Sequence, residues 1–121
     1  MKRDMNLIRQ ILLWADEQPN GIFSGNPTIE GYTEEQIGYH VYLMEQAGLV
    51  KAAVRGSIGL PSPFGLILEI TWTGHDFVDA IKDDSLWKKA TTTVIKDGAS
   101  FSFDLVKEWM LFQAKQTLGL P

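Results

Sequence analysis

The chain has 121 residues, 45% hydrophobic and 21% charged, with a formal net charge of −4 and no cysteine. It is long enough for a hydrophobic core without staples, and its composition is that of a folded protein rather than a disordered one. The missing thiols exclude disulfides, thiolate metal sites and cysteine nucleophiles. The acidic balance disfavours a uniformly basic nucleic-acid-binding surface but leaves room for a local basic patch.

Met1-Lys2-Arg3 has the charges of a signal-peptide start, but Asp4, Asn6 and Arg9 leave only the short apolar run 11–15. No export signal is read there, no run has the length of a membrane span, and a cytoplasmic location is expected. Asp4 then predicts the N-cap of a first helix running to about residue 18. Met5, Ile8, Ile11, Leu12 and Ala15 recur at helical spacing as its buried face, while Leu7 and Trp14 form a second stripe that another helix could cover. Pro19-Asn20-Gly21 is a stop signal, residues 22–27 read as loop, and Thr28-Ile29-Glu30 reads as a lone edge strand.

Residues 33–50, TEEQIGYHVYLMEQAGLV, organise the rest. Thr33 and Gln36 have capping-box spacing, and Glu34 and Glu35 sit where carboxylates offset the positive end of a helix dipole. Ile37, His40, Val41, Met44 and Ala47 share one face. Glu35, Tyr39, Tyr42 and Gln46 share the opposite one, and Gly48 is placed as a left-handed C-cap. Residues 49–55 and 66–71 have strand character and flank a loop rich in Gly, Pro and Ser, which predicts a β-hairpin. Thr73-Gly74-His75-Asp76 has the pattern of another capping box and opens a helix to about residue 82. Asp83, Asp84 and Ser85 punctuate before a helical stretch at 86–96, and Asp97-Gly98 is a turn. A last helix is expected from about 102 to 118. Its apolar residues Leu105, Val106, Trp109, Met110 and Phe112 cover more than the usual stripe of about 100°. Either neighbours within the fold wedge this helix, or part of it, at Val106, Trp109 and Met110, meets a second subunit.

The run 37–50 resembles the recognition-helix signature of bacterial winged-helix repressors at His40, Ala47, Gly48, Leu49 and Val50, with Val41 and Met44 as apolar equivalents. The chain also resembles an uncharacterised family of small bacterial and prophage winged-helix proteins of unknown function. That resemblance is carried by Met1-Lys2-Arg3-Asp4-Met5 with Leu7-Ile8-Arg9, and by Glu30-Gly31-Tyr32 into Tyr39-His40. It continues in Thr71-Trp72-Thr73-Gly74-His75-Asp76-Phe77 through Asp84 and Trp87, and in Ser102-Phe103-Asp104. It implies that 33–50 is the third helix of a winged helix and the turn into its wing.

The departures from the repressor pattern fall on the outer face. Gly38, Tyr39 and Tyr42 stand where the repressors usually carry Ser, Arg or Lys, and 33–50 holds three glutamates and no Arg or Lys. Tyrosine can donate to a phosphate but adds no positive charge, and bidentate readout of guanine by arginine is not available from this helix. The predicted wing carries apolar Ile58, Leu60, Pro61 and Phe64, with only Lys51 and Arg55 at its base. Exposed tyrosines beside an apolar wing fit a protein-contact surface.

Catalytic constellations are sparse. His40 falls on the apolar face, as a structural histidine does. His75 and Asp79 are four apart and could share a metal, but no third ligand is evident and the acidic stripe Asp76, Asp79, Asp83 reads as a solvated face. Gly56-Ser57-Ile58-Gly59 lacks the lysine of a phosphate loop. Residues 98–102 lack the closing glycine of a nucleophile elbow.

The expectation is an α+β, mostly α protein. It would form one winged helix-turn-helix domain over 1–121, with a core of about 1–83, a small antiparallel β-hairpin wing and a helical extension of about 84–121. The expected function is that of a non-enzymatic interaction or regulatory adaptor without cofactor or metal. Its partner surface would comprise Tyr39, Tyr42, Gln46, Lys51 and Arg55, with a homodimer contact on the last helix. The alternative is a DNA-binding transcriptional regulator of bacterial or prophage origin, in which Lys2, Arg3, Arg9, Lys51 and Arg55 contact phosphates while Tyr39, Tyr42 and Gln46 approach the groove.

Overall fold

The computed structural model describes residues 1–23, 25–56, 59, 61–95 and 103–119. Helix α1 (Met5–Asp16) is followed by α2 (Glu34–Gln46), the strands β1 (Val50–Arg55) and β2 (Phe64–Ile70), then α3 (Trp72–Ile81), α4 (Asp84–Ile95) and α5 (Phe103–Thr117). The protein is thus mostly helical, with one two-stranded antiparallel hairpin. The chain divides into two compact units, Met1–Val78 and Asp79–Pro121.

In the first unit, Leu7, Ile8, Ile11, Leu12 and Ala15 of α1 are buried together with Ile37, Val41 and Met44 of α2. Val50 of β1 and Ile67 of β2 join them, and α2 packs against both strands as well as against α1. Glycines allow the closest approach. A Cβ on Gly65 would lie 2.9 Å from the Tyr42 backbone nitrogen, so β2 rests directly on the helix. At Gly38 a Cβ would collide with the Phe64 ring, so the aromatic lies over the helix backbone itself.

Both ends of α2 are closed by local bonds. Thr33 Oγ1 accepts from the Gln36 N–H at 3.1 Å, while Gln36 Oε1 accepts from the Thr33 N–H at 2.8 Å. At the other end Gly48 has φ +77°, and the N–H groups of Gly48 and Leu49 donate to the carbonyls of Glu45 and Met44. This pair of bonds is a Schellman termination, with buried Leu49 supplying its apolar contact.

Several expectations need correction. The helix at 33–46 is the second of the chain, not the third. No helix occurs among the described residues between α1 and α2, a stretch containing Pro19, Gly21, Gly25, Pro27 and Gly31. Thr28-Ile29-Glu30 forms no strand. The free edge of β2 is instead met a few residues earlier. Asn26 Nδ2 donates to the Gly65 carbonyl at 2.8 Å and its Oδ1 accepts from the Ile67 N–H at 2.9 Å. One side-chain amide thereby replaces a rung of a third strand. The Phe23 N–H adds a 2.8 Å bond to the carbonyl of Leu68, the residue skipped by the register between Lys51↔Glu69 and Ala52↔Ile67.

Strand β2 starts at Phe64, two residues before the expected position, and the Phe64 ring is half-buried rather than displayed on a wing tip. Ile58 and Leu60 lie outside the described residues, as do the turn at Asp97-Gly98 and Ser102. Ala47 is exposed rather than part of the buried face of α2. Trp14 packs edge-on against Phe23 of the loop, centroids 5.6 Å apart, so loop meets the part of the second stripe that another helix could have covered. The cap of α3 is Thr71, not Thr73. Its Oγ1 accepts from the Gly74 N–H at 3.0 Å and its own N–H donates to the Leu49 carbonyl at 3.0 Å.

In the second unit, Asp83 Oδ1 caps α4 through the Leu86 N–H at 2.9 Å, and α4 packs on α5. Trp87 and Ala90 on α4 are buried, as are Val106 and Met110 on α5.

Candidate functional site

The two faces of α2 are built from different chemistry. On the inner face His40 is 1% exposed and bonds two backbone groups. The Asp4 N–H donates to its Nε2 at 2.8 Å, so that nitrogen is an acceptor. The proton therefore sits on Nδ1, which donates to the Gln36 carbonyl at 2.7 Å. Asp4 is the hub of this arrangement. Its Oδ1 caps α1 through the Leu7 N–H at 3.1 Å and its Oδ2 accepts from the Tyr32 hydroxyl at 3.0 Å. Burial, then the hydrogen bond and charge of Asp4, hold the Tyr32 hydroxyl above its ordinary pKa of 10.0. This latch joins the start of α1 to α2, and both imidazole nitrogens are committed to it.

On the outer face Tyr39 and Tyr42 are half-buried, their ring centroids 6.0 Å apart and inclined by 35°. Gln46 Nε2 donates to the Tyr42 hydroxyl at 2.9 Å, one turn further along. Glu35, at the N-terminal end of the same stripe, accepts from Ser62 Oγ at 3.2 Å. Tyr39, Tyr42 and Gln46 are thus brought together.

The two basic candidates are not part of that constellation. Lys51 faces Glu69 across the hairpin at 3.1 Å, in an exposed pair that leaves no net charge at this point of the sheet. Arg55 is exposed at the far end of β1 opposite Phe64, four residues along the strand from Lys51. On α5, Val106 and Met110 are fully buried and only Trp109 keeps partial exposure. Among the described side chains of that helix, the large apolar ones displayed are Leu105, Leu111 and Phe112.

His75 Nδ1 stands 3.9 Å from Asp16 Oδ1 in an exposed pair, and Asp79 faces Lys82 at 3.6 Å. Among the described residues, no three His, Asp or Glu side chains converge as metal ligands would. No described helix is long and apolar enough to cross a membrane.

Two features escaped the sequence reading. Trp72, in the first turn of α3, is 85% exposed, although its neighbours in the quoted motif suggested only a helix start. A half-open cleft of about 360 Å³ lies beside Trp14 and Gln18 of α1 and the loop residues Pro19, Asn20, Phe23 and Asn26. None of its lining residues is ionisable, so it offers packing and amide hydrogen bonds rather than acid–base chemistry. Loop closure alone creates it, and no periodicity signals it.

The family described as hypothetical protein (DUF2513) matches residues 2–100 of the chain. A Haemophilus influenzae protein described as uncharacterized is 34% identical over 109 residues, spanning 89% of this chain and 91% of its own length. No solved structure matches the chain. The chain belongs to the DUF2513 family of hypothetical proteins.

Proposed function

We propose that the protein is a non-enzymatic, winged-helix-like adaptor or regulatory module that meets a protein partner through the outward face of α2. The observation that carries this reading is the character of that face. It displays the Tyr39–Tyr42 pair and Gln46, with no Lys or Arg anywhere on the helix. Partly exposed, pre-ordered tyrosines bring contact area at little conformational cost, and tyrosine is enriched where protein interfaces concentrate their energy. Lys51, which a DNA-binding wing would direct at phosphate, is engaged by Glu69.

The winged-helix likeness rests on α2 leading through a tight turn into the hairpin, and on Phe23 and Asn26 occupying the edge of β2 where a third strand would pair. Among the described residues, no helix stands between α1 and α2 where a winged helix has the one preceding its recognition helix. Only the recognition-helix and wing half of the comparison is therefore invoked. Self-association through Leu105, Leu111 and Phe112 of α5 is a separate element of the proposal, checked by a light-scattering mass.

The experiment is a paired one. Tyr39→Ala with Tyr42→Ala is expected to abolish capture of a partner that the wild-type chain retains, with the fold kept. An unchanged set of captured proteins would refute the surface. The DNA-binding alternative draws on one observation, the bond from Asp4 to His40, which holds the neighbouring Lys2 and Arg3 close to α2. It predicts duplex binding that weakens steeply with salt. The adaptor reading predicts no mobility shift of duplex DNA even at low salt.

A further inference from the structure

We propose that the outward face of α2, with the adjoining first turn of α3, docks a protein segment presenting arginine or lysine side chains. This deepens, and rests on, the reading of that face as a protein contact.

The charge distribution points to such a partner. Residues 1–78 hold nine acidic and five basic side chains, so the whole formal charge of −4 resides in the unit that carries α2. Helix α2 itself bears Glu34, Glu35 and Glu45 and no cation. Its last turn has no basic residue to offset the partial negative charge of the terminal carbonyls. Lys51, the nearest cation along the chain, already faces Glu69, and Lys2 and Arg3 adjoin the opposite, inward face of α2 through the bond from Asp4 to His40. A phosphate backbone or an anionic lipid surface would be repelled by this arrangement, and a cationic segment would be drawn to it.

The aromatic side chains supply the second half of the complementarity. Tyr39 and Tyr42 form a tilted pair, inclined by 35° with centroids 6.0 Å apart, and do not stack face to face. Both rings keep part of their surface exposed, and Tyr39 also meets the His40 ring edge-on, centroids 5.9 Å apart, so the exposed remainder of the pair is what a cation would meet. Trp72, 85% exposed, follows directly on Thr71, whose hydroxyl donates to the Gly48 carbonyl at the end of α2. An aromatic group of the best cation-binding type thus adjoins the negative end of the helix.

At the other end, Glu35 uses Oε1 to accept from Ser62, and its Oε2 can receive a guanidinium. Arginine fits this combination better than lysine, because its planar group stacks on an aromatic ring while donating in-plane to a carboxylate.

The test uses the full-length chain, labelled with nitrogen-15, and four probes. These are a short arginine-bearing peptide, the same peptide with citrulline for arginine, an apolar uncharged peptide, and a DNA duplex. The arginine peptide is expected to shift the amide signals of Tyr39, Tyr42, Glu45 and Gln46 and the indole signal of Trp72. It should bind about tenfold or more tightly than its citrulline counterpart and weaken several-fold as salt approaches about 0.3 M. Tyr39→Ala with Tyr42→Ala, and separately Glu35→Gln with Glu45→Gln, should each weaken it about tenfold while the dispersion of the remaining signals shows an intact fold.

Equal binding of the arginine and citrulline peptides would overturn the proposal. So would shifts spread evenly over remote acidic positions such as Asp16, Glu17 and Glu30, the mark of diffuse attraction. If the apolar peptide binds this face and arginine confers no advantage, the partner chemistry fails while the protein-contact reading survives. If the duplex shifts the same signals, both fail.

Discussion

The two faces of α2 differ in what holds them in place. Inward, Ile37, Val41 and Met44 are at most 2% exposed, and His40 spends both ring nitrogens on backbone groups. Outward, Tyr39 and Tyr42 pair with each other, Gln46 bonds the Tyr42 hydroxyl, and Tyr39 also meets the edge of the His40 ring. The same thirteen-residue helix therefore carries one set of residues required for folding and another that the fold leaves free for recognition. Gly38 sits between them: counted from its position as part of the recognition surface, it proves to be the floor on which Phe64 rests.

The largest separation of the two faces should come from Met44→Ala. Deleting a side chain that is 1% exposed is expected to cost about 2–5 kcal/mol in urea unfolding, through lost burial and the cavity left behind. Gly38→Ala should follow at about 1–3 kcal/mol, because the new methyl collides with an aromatic ring that can shift only partly. A double-mutant cycle with Phe64→Ala should recover most of that steric component. Loss of stability in Gly38→Ala that persists unchanged without the ring would assign the cost elsewhere. The outer pair should cost less: Tyr39→Ala with Tyr42→Ala is expected to lower stability by about 1–2 kcal/mol, the scale of contacts between partly buried rings. A loss matching that of Met44→Ala would erase the distinction between the faces.

The smallest effect is a pH dependence on the inner side. The Tyr32 hydroxyl is held above pKa 10.0 by burial and by its bond to Asp4, so the fold favours the neutral phenol. The stabilisation is present in full below pH 10 and is lost as pH rises through the elevated value, where the phenolate would face the Asp4 carboxylate. Tyr32→Phe should flatten that alkaline decline in thermal stability, and an unchanged slope would show that the Asp4–Tyr32 bond does not contribute.

What the sequence made legible follows the same division. The capping box at Thr33 and Gln36, the turn at Gly48 and the burial of His40 depend on neighbours within one or two helical turns, and residue type with spacing was sufficient to place them. The edge of β2 was placed wrongly because its partner is not a strand. A side-chain amide does the work of a peptide unit there, and a single Asn in a Gly- and Pro-containing loop carries no periodic signal. The same limit hid the Phe64–Gly38 contact and the pairing of Lys51 with Glu69, both of which depend on a register fixed only in three dimensions. For the site, the residues Tyr39, Tyr42 and Gln46 were readable as one stripe. The neutralisation of Lys51 and the exposure of Trp72 were not, since neither follows from helical spacing.

What touches the outward face of α2 in the cell decides between a protein partner and DNA. A photo-crosslinking amino acid placed at position 42, with Glu17 on α1 as the comparison position, reads that contact directly. The expected product is a discrete adduct at position 42 that protease removes and nuclease does not, with none at Glu17. Adducts at position 42 that nuclease removes, or equal adducts at both positions, would contradict the assignment of this face to a protein partner.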